Sequence, residues 1–399
     1  MKPLVFVTGM FRSGTTLMAR MLGAHPNLAF ASDPFQPTLK EFRNTVWANL
    51  VGVDQMDAKA PFDDYYFYPD KQQLMKAVQQ TGLDLSIGNL DLPGLRATTA
   101  RYAHDFSPKI EPYLELLNGP TFADLLATGG EVIERAYGDK NTQAVGFKIT
   151  WACEFGPHLL RQWDNAKVVH IVRDPRAVCS SKYALEGRKN PFIFLVRQWR
   201  KLVTLPWVHL QDSFPYRDRV HVLRYEDLVS NPESEVERLC EFLELPMSER
   251  MLDPSRYDDG SGKVWEPNTS YREKKKQFNT SSIDKWRSVL NGRQIEFIER
   301  LALPEMAVWG YEPEIADSHG IPASMVYDPP EVPLEELVEW IIPYTRYEPH
   351  TLLHDMVLEQ MRANTLAGGD EVADDIKSAL ALDPDFFDAL RSKMMVTAL

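Results

Sequence analysis

The sequence predicts an α/β fold in which a mostly parallel sheet is flanked by helices. Four short runs rich in β-branched and aromatic residues, at 4–7, 144–149, 166–172 and 219–223, predict strands. Segments with helical spacing separate these runs, and strands that alternate with helices form parallel sheets. A turn from Gly9 to Gly14 joins the first strand to a helix that begins at Thr15.

Composition and charge exclude several classes of protein. The chain carries 44 Lys and Arg against 57 Asp and Glu residues, a net charge of −13, which disfavours a general nucleic-acid-binding protein. No run approaches the roughly 18 apolar residues of a transmembrane helix, and the run at 4–7 is too short for a signal-peptide core. Cys153, Cys179 and Cys240 are odd in number and far apart, which fits reduced thiols. We therefore expect a cytoplasmic protein with no transmembrane segment, no nucleic-acid partner and no zinc framework.

The order of segments predicts one main domain over about residues 1–315. Residues 48–140 are less regular and predict a helical insertion that covers a site. Seven prolines between 313 and 349 predict an extended crossing segment within residues 316–399. Helical spacing at 352–362 and 371–395 predicts a C-terminal helical appendage. We expect it to pack on the main domain or on a second subunit, which would make a homodimer.

The turn after the first strand has the frame of a phosphate loop. Its sequence, Gly-Met-Phe-Arg-Ser-Gly-Thr-Thr at 9–16, spaces two glycines as such loops do. The glycines let backbone N–H groups turn inward, and the helix N-terminus adds partial positive charge. Nucleotide triphosphatases need Lys after the second glycine, where this chain has Thr15, and its positive charge is Arg12 instead. The pattern predicts a P-loop-type sheet that binds a phosphate-like group.

The loop resembles that of the sulfotransferases that use 3′-phosphoadenosine 5′-phosphosulfate (PAPS). The segment 16–26 is similar to the tyrosylprotein sulfotransferase branch and its bacterial relatives. The resemblance implies transfer of a sulfuryl group from PAPS to an acceptor hydroxyl by in-line displacement, leaving 3′-phosphoadenosine 5′-phosphate (PAP), without a metal. It also implies which loop residues bind the 5′-phosphosulfate: Arg12, Ser13, Gly14, Thr15 and Thr16.

A second motif of this family binds the 3′-phosphate through an Arg at a strand end and a Ser eight positions later. Arg173 and Ser181 match this spacing. The other interpretation of Arg173 is a surface ion pair with Asp174. Tyr225, in a Tyr-Glu-Asp sequence after the last predicted strand, resembles the family's nucleotide-contacting Tyr, although a half-buried strand-end aromatic would have the same sequence.

Residues 263–293 are basic in an otherwise acidic chain, with eight Lys and Arg against three Asp and Glu, or +5. Such a run is usually a solvated face. Residues 281–287 nevertheless resemble the family's cofactor-capping loop and the Lys-Trp that follows it. The resemblance assigns Lys285 to a nucleotide phosphate and Ser270 to the phosphosulfate bridge.

The predicted catalytic residues are Arg12, Asp33 and Lys148. A loose sulfuryl-transfer transition state needs fixed positive charge. Lys148 follows the run Val-Gly-Phe at 145–147 on a predicted central strand, where the resembling family has a catalytic Lys. The alternative interpretation of Lys148 is an ordinary lysine near the end of a strand. Asp33 lies eight residues after His25, where tyrosylprotein sulfotransferases have a catalytic Glu, so we expect it to be the base.

Other interpretations of these positions remain open. Asp33 is followed by Pro34 and Gln36, which is also the pattern of a helix N-cap. His25 is a competing base, but its place before Pro26 is typical of a helix end. His170 lies in an apolar strand and is typical of a buried core residue.

For the acceptor we favour a carbohydrate or small-metabolite hydroxyl, with a peptide tyrosine as the alternative. Two further classes stay open. A P-loop kinase or nucleotidase is disfavoured by the missing Lys after Gly14 and by the spacing of Arg173 and Ser181. A catalytically silent PAP-binding module that interacts through the C-terminal helices is the non-enzyme alternative.

Overall fold

The computed structural model describes residues 2–53, 69–181, 192–265, 278–317, 319–320 and 349–397. Among these residues, five strands form one parallel sheet in the order β2-β3-β1-β4-β5. The strands are β1 (Leu4–Gly9), β2 (Leu28–Ser32), β3 (Ala144–Lys148), β4 (Ala166–Val172) and β5 (Val220–Arg224). The predicted α/β class with a parallel sheet is confirmed, and the four predicted strands end within two residues of the prediction.

Strand β2 was not predicted from the sequence. Its run, Leu-Ala-Phe-Ala-Ser, is short and contains two alanines, which have low strand propensity. All five residues are buried, and the strand pairs with β3 from Leu28 to Ser32. Pairing with a neighbour distant in sequence therefore decides its conformation, and it forms one edge of the sheet.

The described helices alternate with the strands and then continue beyond them. They are α1 (Thr15–Gly23), α2 (Gln36–Val51), α3 (Pro69–Gln80), α4 (Leu92–Ala103), α5 (Phe122–Tyr137), α6 (Gly156–Gln162), α7 (Pro175–Cys179), α8 (Phe192–His209), α9 (Tyr225–Ser230), α10 (Pro232–Leu243), α11 (Trp286–Val289), α12 (Gly292–Val308), α13 (Pro349–Ala367), α14 (Asp374–Ala381) and α15 (Pro384–Thr397). A 3₁₀ helix covers Pro108–Leu116. The described part of the predicted insertion at 48–140 is thus helical; its role as a cover stays a prediction.

The chain divides into two compact units. The first comprises residues 1–64, 73–172 and 209–280 and contains the whole sheet. Helices α1, α5 and α6 pack on this sheet. Phe147 of β3 packs against the rings of Phe6 and Phe35, with centroids 5.3 and 5.5 Å apart. A Cβ at Gly129 in α5 would lie 2.8 Å from the Phe35 ring, so this glycine allows α5 to approach the core closely.

The second unit comprises residues 65–72, 173–208 and 281–399 and contains the C-terminal helices. Helix α15 packs against α12, α13 and α14 around a core that includes Phe386 and Phe387. Buried ion pairs join α8 to α13: Glu359 accepts from Arg197 Nε at 2.8 Å and lies 2.7 Å from Arg200 Nη1. Burial opposes ionisation of Glu359, but the nearby arginines lower its pKa to about 2.

The predicted C-terminal helical segments are confirmed within the described residues. The domain boundary at 315 stays a prediction, as does a second subunit as partner, and most of the proline-rich crossing segment lies outside the described residues. All three cysteines are buried and free of disulfides. None of the described helices is both long and apolar enough to cross a membrane.

Candidate active site

The phosphate loop joins β1 to α1 through a compact turn. Ser13 donates to the Met10 carbonyl from both its amide and its hydroxyl, at 3.0 and 2.5 Å. Arg12 and Gly14 adopt left-handed conformations, with φ of 68° and 98°. Gly14 is the N-cap of α1 and provides no side-chain cap. The amides of the first helical turn therefore face the loop, where an anion would satisfy them.

Both loop glycines are required by close neighbours. A Cβ at Gly9 would lie 2.4 Å from the Ile171 carbonyl oxygen, and one at Gly14 would lie 2.4 Å from the Tyr225 ring. The structure therefore brings Tyr225 against the phosphate loop. Tyr225 is only 4% exposed, so the geometry agrees both with a nucleotide contact and with a buried strand-end aromatic.

Asp33 and Lys148, two of the predicted catalytic residues, form a buried ion pair. Lys148 Nζ donates to Asp33 Oδ2, and the side chains are 3% and 12% exposed. Asp33 Oδ1 accepts from the Thr150 amide at 3.2 Å, and the Thr150 hydroxyl lies 3.4 Å from Lys148 Nζ. Burying two charges is tolerated only when partners and hydrogen bonds satisfy them. The pair therefore has the supporting bonds that a buried ion pair needs.

The ends of two neighbouring strands place this pair. Asp33 follows the last residue of β2, and Lys148 ends β3. The Asp33 amide donates to the Lys148 carbonyl at 2.6 Å, and Asp33 turns into the left-handed region with φ of 52°. This turn directs its carboxylate back toward Lys148.

The alternative of Asp33 as a helix cap is wrong. Helix α2 begins at Gln36, with Phe35 at its N-cap and Pro37 in its first turn. The Asp33 carboxylate cannot cap this helix because Lys148 and the Thr150 amide hold it.

Sequence reasoning missed two parts of this site. Thr150 follows β3 closely and bonds both members of the pair, and a hydroxyl two residues after a predicted catalytic Lys was the available signal. The Phe106 ring lies 5.9 Å from Lys148 Nζ. No sequence signal marks Phe106, because it reaches the site from the turn after α4, which is distant in sequence.

The two histidines considered from the sequence are structural. His25 accepts from the Asn27 amide at 3.1 Å and lies 2.8 Å from the Pro246 carbonyl, and burial lowers its pKa. Both ring nitrogens are thereby engaged, which argues against a base. His170 is fully buried next to His209, and burial holds its pKa well below the usual value.

The second unit contains the residues of the predicted 3′-phosphate motif. Arg173 directly follows β4, and its Nη2 donates to the Ser282 carbonyl at 2.7 Å. Ser181 lies two residues beyond α7, and its amide donates to the Val178 carbonyl at 3.3 Å. Asp174 caps α7 and pairs with Arg176 at 2.7 Å. Arg173 is thus joined to the segment that precedes Lys285.

A stacked tryptophan fixes the basic segment in the same unit. The guanidinium groups of Arg176 and Arg287 both stack on the Trp286 ring, 4.1 and 4.5 Å from its centroid. Lys285 immediately precedes Trp286, so the same contacts restrain its backbone. Ser270 lies outside the described residues. Within the described part of the chain, no three His, Cys, Asp or Glu side chains gather in a group that suits a metal.

The parallel sheet with a phosphate loop after its first strand defines a P-loop-type α/β protein. The model of the sulfotransferase family matches residues 3–249, and the chain belongs to that family. A protein-tyrosine sulfotransferase of Drosophila melanogaster is 22% identical over 82% of this chain and 55% of its own length. A putative protein-tyrosine sulfotransferase of Caenorhabditis briggsae is 22% identical over 77% of this chain and 89% of its own length.

The chain also aligns with the sulfotransferase domain of the Synechococcus PCC 7002 olefin synthase, with 22% identity and a TM-score of 0.42. This alignment covers 73% of the present chain and 89% of the other. The share of the Drosophila relative that the chain spans is little more than half.

Removing one member of the buried pair should destabilise the protein. We expect Lys148→Met and Asp33→Asn each to lower the free energy of unfolding by about 3 kcal/mol, because each leaves a buried group without its partner. Asn is chosen because it tolerates the left-handed backbone of residue 33. The double variant should lose at least about 1 kcal/mol less than the sum of the two losses.

Urea unfolding of the wild type and the three variants measures this coupling. The exposed pair Arg217 and Asp212 is the control, and Arg217→Met and Asp212→Asn should show coupling below about 1 kcal/mol. Additive losses at Asp33 and Lys148 would contradict a coupled buried pair.

Proposed function

We propose that the protein transfers a sulfuryl group from PAPS to an acceptor hydroxyl by in-line displacement. The observation that carries this proposal is the buried pair of Asp33 and Lys148 at the ends of β2 and β3. Strand β3 lies directly beside β1, whose end leads into the phosphate loop. In a parallel sheet these strand ends share one edge, where α/β proteins bind their ligands. Membership of the sulfotransferase family supports the same reaction.

The residues of the phosphate loop fit the 5′ end of this donor. Gly14 starts α1 without a side-chain cap, and Gly9 keeps the loop close to β4. We assign the 5′-phosphosulfate to backbone amides of this loop and to Arg12, Ser13, Thr15 and Thr16. We assign the 3′-phosphate to Arg173 and Ser181, with Lys285 on a nucleotide phosphate and Tyr225 in contact with the nucleotide. The resemblance to the family alone supports Ser270 at the phosphosulfate bridge.

Each catalytic side chain has a distinct role in this proposal. The donor supplies the sulfuryl group, whose bond to the bridging oxygen breaks as its bond to the acceptor oxygen forms. The Asp33 carboxylate takes the acceptor proton. Lys148 and Arg12 stabilise negative charge on the bridging and equatorial oxygens. The contacts of Asp33 and Thr150 fix Lys148 before the reaction, so little reorganisation is needed.

Two kinds of acceptor hydroxyl fit this proposal. A carbohydrate or small-metabolite hydroxyl is our first choice, as expected from the sequence. A peptide tyrosine is the second, because the Drosophila relative is a protein-tyrosine sulfotransferase. The chemistry at Asp33 is the same for both, since each acceptor loses one hydroxyl proton.

Binding of PAP should depend on both phosphate motifs. We expect Arg12→Ala and Arg173→Ala each to weaken the binding of PAP at least about 10-fold, because each removes a charged hydrogen-bond donor to phosphate. Calorimetric titration with PAP measures the effect, and Arg217→Ala, at an exposed arginine, should bind as the wild type does. Unchanged affinity in both variants would contradict the site. Tight binding of ATP with Mg²⁺ but not of PAP would instead indicate a P-loop kinase or nucleotidase.

Transfer should depend on the buried pair more than nucleotide binding does. With ³⁵S-labelled PAPS and a panel of sugars, small alcohols and tyrosine peptides, we expect Asp33→Asn and Lys148→Met to lower kcat at least about 100-fold. Asp33→Asn should leave PAP affinity within about twofold of wild type, because Asp33 meets the acceptor. Asp212→Asn is the control and should keep full activity. Full activity of Asp33→Asn would point to another base; PAP binding without transfer to any acceptor would indicate a silent module.

A further inference from the structure

We propose that Ser107 is a positioning residue that holds the end of β2 so that Asp33 meets Lys148. Ser107 lies in the predicted insertion, far from Asp33 in sequence. The inference rests on the proposed function, because it concerns the base of that reaction. Ser107 acts through Ser32 and touches neither reacting atoms nor nucleotide in this proposal.

The hydroxyl of Ser107 replaces a missing neighbouring strand at the edge of the sheet. The Ser32 amide donates to Ser107 Oγ at 2.6 Å, and Ser107 Oγ donates to the Ser32 carbonyl at 3.0 Å. The next amide, that of Asp33, points the other way and donates to Lys148 of β3. Because successive backbone groups of a strand face opposite sides, the N–H and C=O of Ser32 face outward. One hydroxyl therefore satisfies both outward groups of the last residue in β2.

Both serines are buried, so water does not offer an equivalent partner. Ser107 is 1% exposed and Ser32 is 2% exposed. A buried amide or carbonyl that loses its partner keeps its full desolvation penalty. The reciprocal bonds thus oppose any fraying of β2 at its carboxyl end.

Several contacts fix Ser107 itself. Its amide donates to the Ala103 carbonyl at 2.7 Å, at the end of α4. The preceding carbonyl, that of Phe106, accepts from both terminal nitrogens of Arg20 at 3.4 Å. Ser107 is therefore a rigid support.

The conformation of Asp33 explains why such support is needed. A left-handed backbone at a residue other than glycine is strained and persists only where the surroundings hold it. On one side, Lys148 and Thr150 hold Asp33. On the other side, Ser107 fixes the residue before it. Without the Ser107 hydroxyl, the Asp33 carboxylate should leave its contact with Lys148 part of the time.

Thr128 provides a matched control within the same insertion. Its hydroxyl accepts from the Asn118 amide at 3.2 Å and lies 3.0, 2.9 and 3.2 Å from the carbonyl oxygens of Asn118, Asp124 and Leu125, to any of which it can donate. None of these partners belongs to β2. Thr128→Val therefore removes the hydrogen bonds of another hydroxyl in the insertion without touching Ser32 or Asp33.

Amide hydrogen exchange of the full chain tests whether Ser107 holds the end of β2 in place. We expect Ser107→Ala to speed exchange in the segment 28–35 at least about 10-fold, and Ser107→Thr, which keeps the hydroxyl, to restore protection. Thr128→Val should leave this segment unchanged. Unchanged exchange in Ser107→Ala would overturn the inference whatever the protein catalyses.

A single-turnover assay tests whether Ser107 affects the reaction through Asp33. The assay measures conversion of PAPS to PAP with water as the acceptor and with enzyme in excess. A bond forms between sulfur and the water oxygen, the bridging bond to PAP breaks, and Asp33 takes the water proton. Ser107→Ala should lower the rate at least about 10-fold without changing PAP affinity, and Ser107→Thr should restore it. In the Asp33→Asn background, Ser107→Ala should cause no further loss. A further loss of 10-fold there would overturn a role through Asp33, whereas a wild type that consumes PAPS neither with water nor with any acceptor of the panel would overturn the proposed function itself.

Discussion

The buried ion pair of Asp33 and Lys148 is the interaction on which the arrangement of the first unit depends. An isolated charge in this position would be costly, so each partner requires the other and the hydrogen bonds around them. Those bonds come from Thr150 and from the pairing of β2 with β3. The edge strand, the left-handed turn at Asp33 and the Ser107 contact all serve to bring one carboxylate to one ammonium group.

The parallel sheet connects this pair to the phosphate loop. In the register of the sheet, Lys148 pairs with Val7 of β1 on one side and with Ser32 of β2 on the other. The loop that follows β1 therefore begins beside Lys148, at the carboxyl ends of the parallel strands. A sulfuryl-transfer site needs fixed charge beside an anion-binding loop and a base beside that charge. The strand order β2-β3-β1 supplies this proximity.

Local patterns predicted much of this site, and long-range pairing determined the rest. The glycine spacing after β1 and the lysine at the end of β3 follow from short sequence windows, so the loop and Lys148 were found. The sequence around Asp33 fits both a base and a helix cap, and the cap is excluded by the start of α2 at Gln36 and by the contact of Asp33 with Lys148. Strand β2 and Ser107 had no local signal, because both depend on partners distant in sequence. Family membership then restricts the chemistry but not the acceptor.

Diffraction from crystals of the wild-type protein grown with excess PAP would show whether the nucleotide binds beside the pair of Asp33 and Lys148. We expect a 5′-phosphate held by the amides at the start of α1 and by Arg12, with Lys148 and Asp33 still paired beside it. A nucleotide whose phosphates bind elsewhere, or a complex in which Asp33 and Lys148 separate and face away from the loop, would contradict it.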